Sequence, residues 1–156
     1  MKNKENVWDY PRPPRLEKCS HILRVIFNNT VIADTNRGYR ILETSHPPTY
    51  YIPLEDCINQ YLIPSNRTSY CEFKGKALYY SIKIEEKVSR DAAWYYPEPN
   101  INYAEIKNHI SFYANKVDAC FVDEEKVIAQ EGDFYGGWIT QNIEGPFKGA
   151  VGTEGW

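Results

Sequence analysis

The nine residues Ala77-Leu-Tyr-Tyr-Ser-Ile-Lys-Ile-Glu85 alternate without a break. In an extended chain Leu78, Tyr80, Ile82 and Ile84 fall on one side, and Tyr79, Ser81, Lys83 and Glu85 on the other. A period of two belongs to a β-strand, because a helix would scatter those positions around its axis. The same pattern recurs elsewhere. Ile22-Leu-Arg-Val-Ile-Phe27 and Thr30-Val-Ile-Ala33 are two β-rich runs joined by Asn28-Asn29, residues that tolerate the positive backbone angles of a two-residue hairpin turn.

Further strands are expected over residues 39–45, 49–52, 88–96, 109–113, 119–122 and 126–129. Residues 54–62 are the best helix candidate: Ile58, Tyr61 and Leu62 repeat at three and four, between Pro53 and Pro64. Residues 66–69 read as a polar turn, and 102–108 as one helical turn. About ten short strands and one short helix predict a mainly β fold, either a compact antiparallel β-barrel or two packed sheets.

At 156 residues the chain is expected to form one domain with a core of its own. Residues 1–20 form an extended Pro-rich arm, since Tyr10-Pro-Arg-Pro-Pro-Arg15 favours a polyproline-type path. Residues 21–131 form the β domain. Residues 132–156 form a glycine-rich C-terminal tail holding seven of the nine glycines, with Trp138, Phe147 and Trp156 among them. Such a tail either wraps its own domain or docks on a second copy, giving a homodimer.

A net charge of -3 without runs of like charge argues against nucleic acid or a membrane surface as partner. No apolar stretch reaches membrane-spanning length, and the opening residues lack a secretory pattern, so a cytoplasmic protein is expected. Cys19, Cys57, Cys71 and Cys120 are too dispersed for a zinc site and read as reduced thiols. The phosphate-binding loop, the dinucleotide fingerprint, the His-Glu-x-x-His helix, the Gly-x-Ser-x-Gly elbow and any Asp-x-Asp pair are all missing. Neither a metal site nor a particular cofactor is spelled out.

Three segments do carry chemistry. Arg40-Ile-Leu-Glu-Thr-Ser-His-Pro-Pro-Thr-Tyr-Tyr-Ile-Pro53 concentrates site-type side chains. Alternation places Arg40 and His46 on a common side; His46 is then a candidate general acid or base, and Glu43 an ion-pair partner. In Cys71-Glu-Phe-Lys-Gly75, Lys74 offers an ammonium beside an open glycine backbone, followed by Tyr79 and Tyr80. Ala92-Ala-Trp-Tyr-Tyr-Pro97 supplies Trp94 and Tyr96 as a wall for a planar ligand.

Taken in order, Glu43-Thr-Ser-His-Pro-Pro-x-Tyr-Tyr-x-Pro53, Cys71-x-x-Lys-Gly-x-Ala-x-Tyr-Tyr80 and Ala92-Ala-Trp-x-Tyr-Pro97 resemble the signature blocks of domain of unknown function family 427. Pro13-Pro-Arg15 and Phe112-Tyr-x-x-Lys-Val-Asp118 fit as well. The resemblance spans roughly residues 20–130 and implies a compact β-rich single domain; the family carries a nucleotidyltransferase-like label. The leading functional expectation is a pocket for a small polar or anionic molecule. Arg40 and Lys74 meet its charge, His46 exchanges a proton, and Tyr50, Tyr51, Tyr79, Trp94 and Tyr96 hold its body beside Glu43. The alternatives are an interaction or homodimerisation module, and a nucleotidyl or phosphoryl transferase with an atypical site.

Overall fold

The computed structural model describes residues 3–156, so the first two residues of the expected arm lie outside the described residues. In chain order the first strands are β1 (Glu5–Asn6), β2 (Arg15–Cys19), β3 (Leu23–Phe27), β4 (Thr30–Thr35) and β5 (Gly38–Leu42). There follow β6 (Thr49–Pro53), β7 (Leu62–Cys71), β8 (Gly75–Ile84), β9 (Lys87–Tyr95) and β10 (His109–Phe112). The remaining strands are short: β11 (Ala119–Val122), β12 (Glu125–Lys126), β13 (Ile128–Ala129), β14 (Trp138–Ile139) and β15 (Ile143–Glu144).

Two antiparallel sheets make up the body. One has seven strands in the order β2-β5-β6-β10-β9-β8-β7, the other four in the order β12-β11-β3-β4. Both are open, so the barrel alternative is not realised. The far edge of the large sheet is β7, where Pro64 has no N–H to donate and the pairing slips between Pro64 and Thr68. Proline and a bulge are ordinary at an edge and costly in a strand paired on both sides.

Most strand expectations hold, with three corrections. The Asn28-Asn29 hairpin turn forms with both residues at positive φ, 52° and 59°. Residues 54–62 do not make one helix but two 3-10 turns, Leu54–Asp56 and Asn59–Tyr61, split by an extended Cys57. Cys57 bridges to Ala33, and the Ile58 amide donates to the Ile32 carbonyl. Sheet contacts thus outcompete a helix too short to sustain itself. Residues 66–69, expected as a turn, belong to β7. The strand expected over 39–45 ends at Leu42, and Ser45 in the following turn adopts a φ of 74°.

The main core lies between the sheets. Leu23, Val25, Phe27, Ile32, Cys120 and Val122 meet Ile52, Ile82, Ile84, Ile110 and Phe112 in one buried cluster, each large side chain contributing about 1.5–3 kcal/mol. Trp138 joins this cluster fully buried, and its indole N–H donates to the Phe112 carbonyl at 2.9 Å. Elsewhere in residues 132–156, Phe147 packs beside Val7 and Leu42, and Trp156 meets Trp8 edge-on at 5.3 Å. These aromatics rest on their own chain. Among the described residues no helix is long and apolar enough to cross a membrane.

A second cluster covers the opposite face of the large sheet. Ile41, Tyr51, Ala77, Tyr79 and Trp94 project from the strands and pack with Tyr103 and Ile106 of the 3-10 stretch Ile101–Ile106. The cavity described next opens on this face.

Candidate functional site

The site begins with two turns. The first joins β7 to β8, where Gly75 has a φ of 112°, a region glycine enters without strain. The Asn100 amide donates to the Lys74 carbonyl at 3.0 Å, and the Asn100 side chain donates to the Phe73 carbonyl. With its backbone held, Lys74 folds its side chain inward over the Tyr96 ring at 5.7 Å and is only 8% exposed.

The second turn follows β5. The Thr44 amide donates to Pro11, the Ser45 amide to Val7 and the His46 amide to Glu43, so the N-terminal arm holds this turn in place. Glu43 already lies opposite Arg40 by parity; positive φ at Ser45 breaks the alternation and brings His46 to that same side. Trp138 then hydrogen-bonds back to Pro48. At Gly137 the chain passes so near Pro47 that an added Cβ would lie 2.6 Å from its carbonyl oxygen.

Between these turns lies a cavity of about 330 Å³. Seven of the nine sequence-derived site residues line it: Glu43, His46, Tyr51, Lys74, Tyr79, Trp94 and Tyr96. Arg40 and Tyr50 do not. They are cross-strand partners in β5 and β6 and face the other side of the large sheet. There Arg40 is bound by Glu17 at 2.5 Å and by both oxygens of Glu5 at 2.9 and 3.1 Å. Burial works against the Arg40 charge, but hydrogen bonding and the charge of Glu5 raise its pKa above the ordinary arginine value. Tyr50 stacks at a tilt on Trp138, and burial raises its phenol.

Residues outside the three blocks complete the cavity. Arg12 comes from the arm, and Phe134, Tyr135, Lys148 and Trp156 from the last part of the chain. Arg12 is committed within the protein: it donates to the Thr44 carbonyl at 2.8 Å and pairs with Glu43 at 3.3 Å. Nothing local in the sequence marks these residues, because their arrival depends on how the two chain ends cross the sheet.

His46 is buried against Tyr135, ring centroids 4.5 Å apart. The buried Gln130 settles its tautomer. The Gly137 amide donates to Gln130 Oε1 at 2.9 Å, so Gln130 Nε2 is the donor toward the Lys148 carbonyl at 2.7 Å and toward His46 Nδ1 at 3.2 Å. Nδ1 therefore accepts, and the proton of the neutral ring sits on Nε2. The nearest carboxylate oxygen, on Glu43, is 3.9 Å from Nε2, beyond hydrogen-bond range. Burial, then the charges of Lys148, Arg12 and Lys74, push the His46 pKa down to about 3.

Lys74 lies in the cavity wall without an ion-pair partner. Among the described residues its ammonium makes no hydrogen bond or ion pair. Burial opposes its charge, but Tyr51, Cys71, Glu43 and Tyr103 together outweigh that and raise its pKa above the usual lysine value. The Tyr51 hydroxyl, on the same cavity wall, is buried and also lacks a hydrogen-bond partner. Among the described residues no three His, Cys, Asp or Glu side chains gather as metal ligands. The cavity wall thus carries the Lys74 ammonium and the Tyr51 hydroxyl, beside the Glu43 carboxylate.

A family described as a domain of unknown function (DUF427) matches residues 15–123, more than half of the chain, and the chain belongs to that family. No curated protein matches the sequence. Lys74, Tyr51 and His46 fall inside the matched stretch, whereas Arg12, Gln130 and Lys148 fall outside it.

Proposed function

We propose that this protein binds a small anionic molecule in the aromatic-walled cavity around Lys74. One observation carries the reading: a lysine only 8% exposed whose ammonium has neither ion pair nor hydrogen bond among the described residues, beside a buried hydroxyl that also lacks a partner. A desolvated charge and a desolvated donor each cost stability unless something completes them, and an anion completes both. Lys74 supplies the charge, Tyr51 a hydroxyl donor and His46 its Nε2–H. Tyr79, Trp94 and Tyr96 hold the organic body, and Glu43 orients Arg12 at the rim. In this reading His46 serves as a neutral donor. The compartment we propose is the cytoplasm, in keeping with four free cysteines, three of them buried.

Calorimetry and thermal melts with benzoate against neutral benzyl alcohol test the reading. Benzoate should stabilise the protein, by about 2.7 kcal/mol at a hundred times its Kd, and benzyl alcohol should not. Lys74→Met should lose the response. Equal behaviour of the two compounds, or a benzoate response that survives in Lys74→Met, would overturn it.

A further inference from the structure

We propose, resting on the anion-binding reading above, that the cavity is matched to a doubly charged anion, a phosphomonoester with a small planar body. The argument is a charge balance. Of the cationic side chains lining the cavity, Arg12 is already paired with Glu43 and bonded to the Thr44 carbonyl. Lys74 and Lys148 have no carboxylate partner among the described residues; each ammonium has only an aromatic ring beneath it, Tyr96 at 5.7 Å and Tyr135 at 5.2 Å. Glu72, the other lining side-chain carboxylate, is exposed.

Both lysines act on one point. Lys148 and Lys74 line the same cavity as His46, and the charges of both lower the pKa of its imidazole. A carboxylate brings one charge and two oxygens, leaving one ammonium uncompensated in a partly desolvated space. A phosphomonoester at neutral pH brings nearly two charges and three non-bridging oxygens. Those oxygens have matching donors: two ammonium groups, the unpartnered Tyr51 hydroxyl and the His46 Nε2–H. About 330 Å³ leaves space for a ring beside the phosphoryl group, at the small end of ligand pockets. Lys148 is also well anchored to respond: its backbone N–H donates to Ser45 at 2.8 Å and its carbonyl accepts from Gln130 at 2.7 Å.

Calorimetry of the full chain with phenyl phosphate, phenyl sulfate and benzoate separates the possibilities. Phenyl sulfate has the same tetrahedral shape and one charge fewer. Phenyl phosphate should bind at least about tenfold more tightly than phenyl sulfate, a difference of about 1.4 kcal/mol. Lys148→Met should bring that ratio close to one, and Lys148→Arg should keep it. Equal affinity for phosphate and sulfate in the parent protein, or an unchanged ratio in Lys148→Met, overturns the dianion proposal while leaving the anion-binding reading standing. Failure of all three compounds to bind overturns both.

Discussion

Arg40 and Lys74 sit on opposite faces of one seven-stranded sheet, and their charges meet opposite fates. Arg40 is enclosed by Glu5 and Glu17, and Glu5 accepts a further bond from the Tyr10 hydroxyl at 2.6 Å. Lys74 is buried more deeply than Arg40, yet the protein offers it only an aromatic ring and distant charges. A satisfied charge is a structural joint, here tying β1 and β2 to β5. An unsatisfied one is an open valence. The lesson is that polar residues in strand segments are sorted by what surrounds them, since burial alone is common to both.

The largest effect that would break this comparison is at Arg40. Arg40→Met strands two part-buried carboxylates and should cost about 3 kcal/mol in chemical denaturation, within the range for severed buried pairs. A loss below about 1 kcal/mol would mean the joint is no more than a surface pair.

The next effect is in acid. The folded His46 takes a proton only near pH 3, whereas the unfolded imidazole takes one as pH falls past 6.5. Between those values the unfolded state binds more protons, so stability falls with falling pH at up to about 1.4 kcal/mol per pH unit. Glu5 acts in the same direction lower down. Burial opposes its charge, but bonds from Arg40 and Tyr10 prevail and lower its pKa below 4.5. The stability it contributes is present above pH 4.5 and is lost as pH falls through the folded value. Urea melts between pH 6.5 and 5 isolate the histidine, and His46→Gln should flatten the slope there. An unchanged slope would place the sensitivity elsewhere.

Tyr10→Phe, which removes one bond to Glu5, should cost about 2 kcal/mol, typical of a hydrogen bond to a charged group. Lys74→Met is the smallest and the most telling. Removing an unpaired buried charge should leave stability unchanged or raise it by about 1 kcal/mol, seen as a melting temperature about 2–4 °C higher. A destabilisation comparable to Arg40→Met would erase the contrast.

Much of the fold was legible in the strands. The alternation in β8 works because a pleated chain sorts its side chains by parity, and the Asn28-Asn29 turn works because those residues enter positive φ cheaply. Parity also explains the failures. It placed Arg40 with His46 by counting through Ser45, and a single positive φ there reversed the sides. Tyr50 and Tyr51, adjacent in sequence, had to part company, one to the core and Trp138, the other to the cavity. The helix expected over residues 54–62 lost to Cys57 and Ile58 pairing with β4, a long-range contact that no local periodicity records.

By itself the sequence determined a mainly β domain, its family, and seven residues of a shared cavity, because strand parity, turn chemistry and block order are local properties of the chain. Only the tertiary structure decided which charges are answered. Arg12, Gln130 and Lys148 reach the cavity from the two ends of the chain, and Glu5 and Glu17 reach Arg40 across strands. Electrostatic satisfaction depends on distances between groups far apart in sequence, and those distances exist only once the chain has folded.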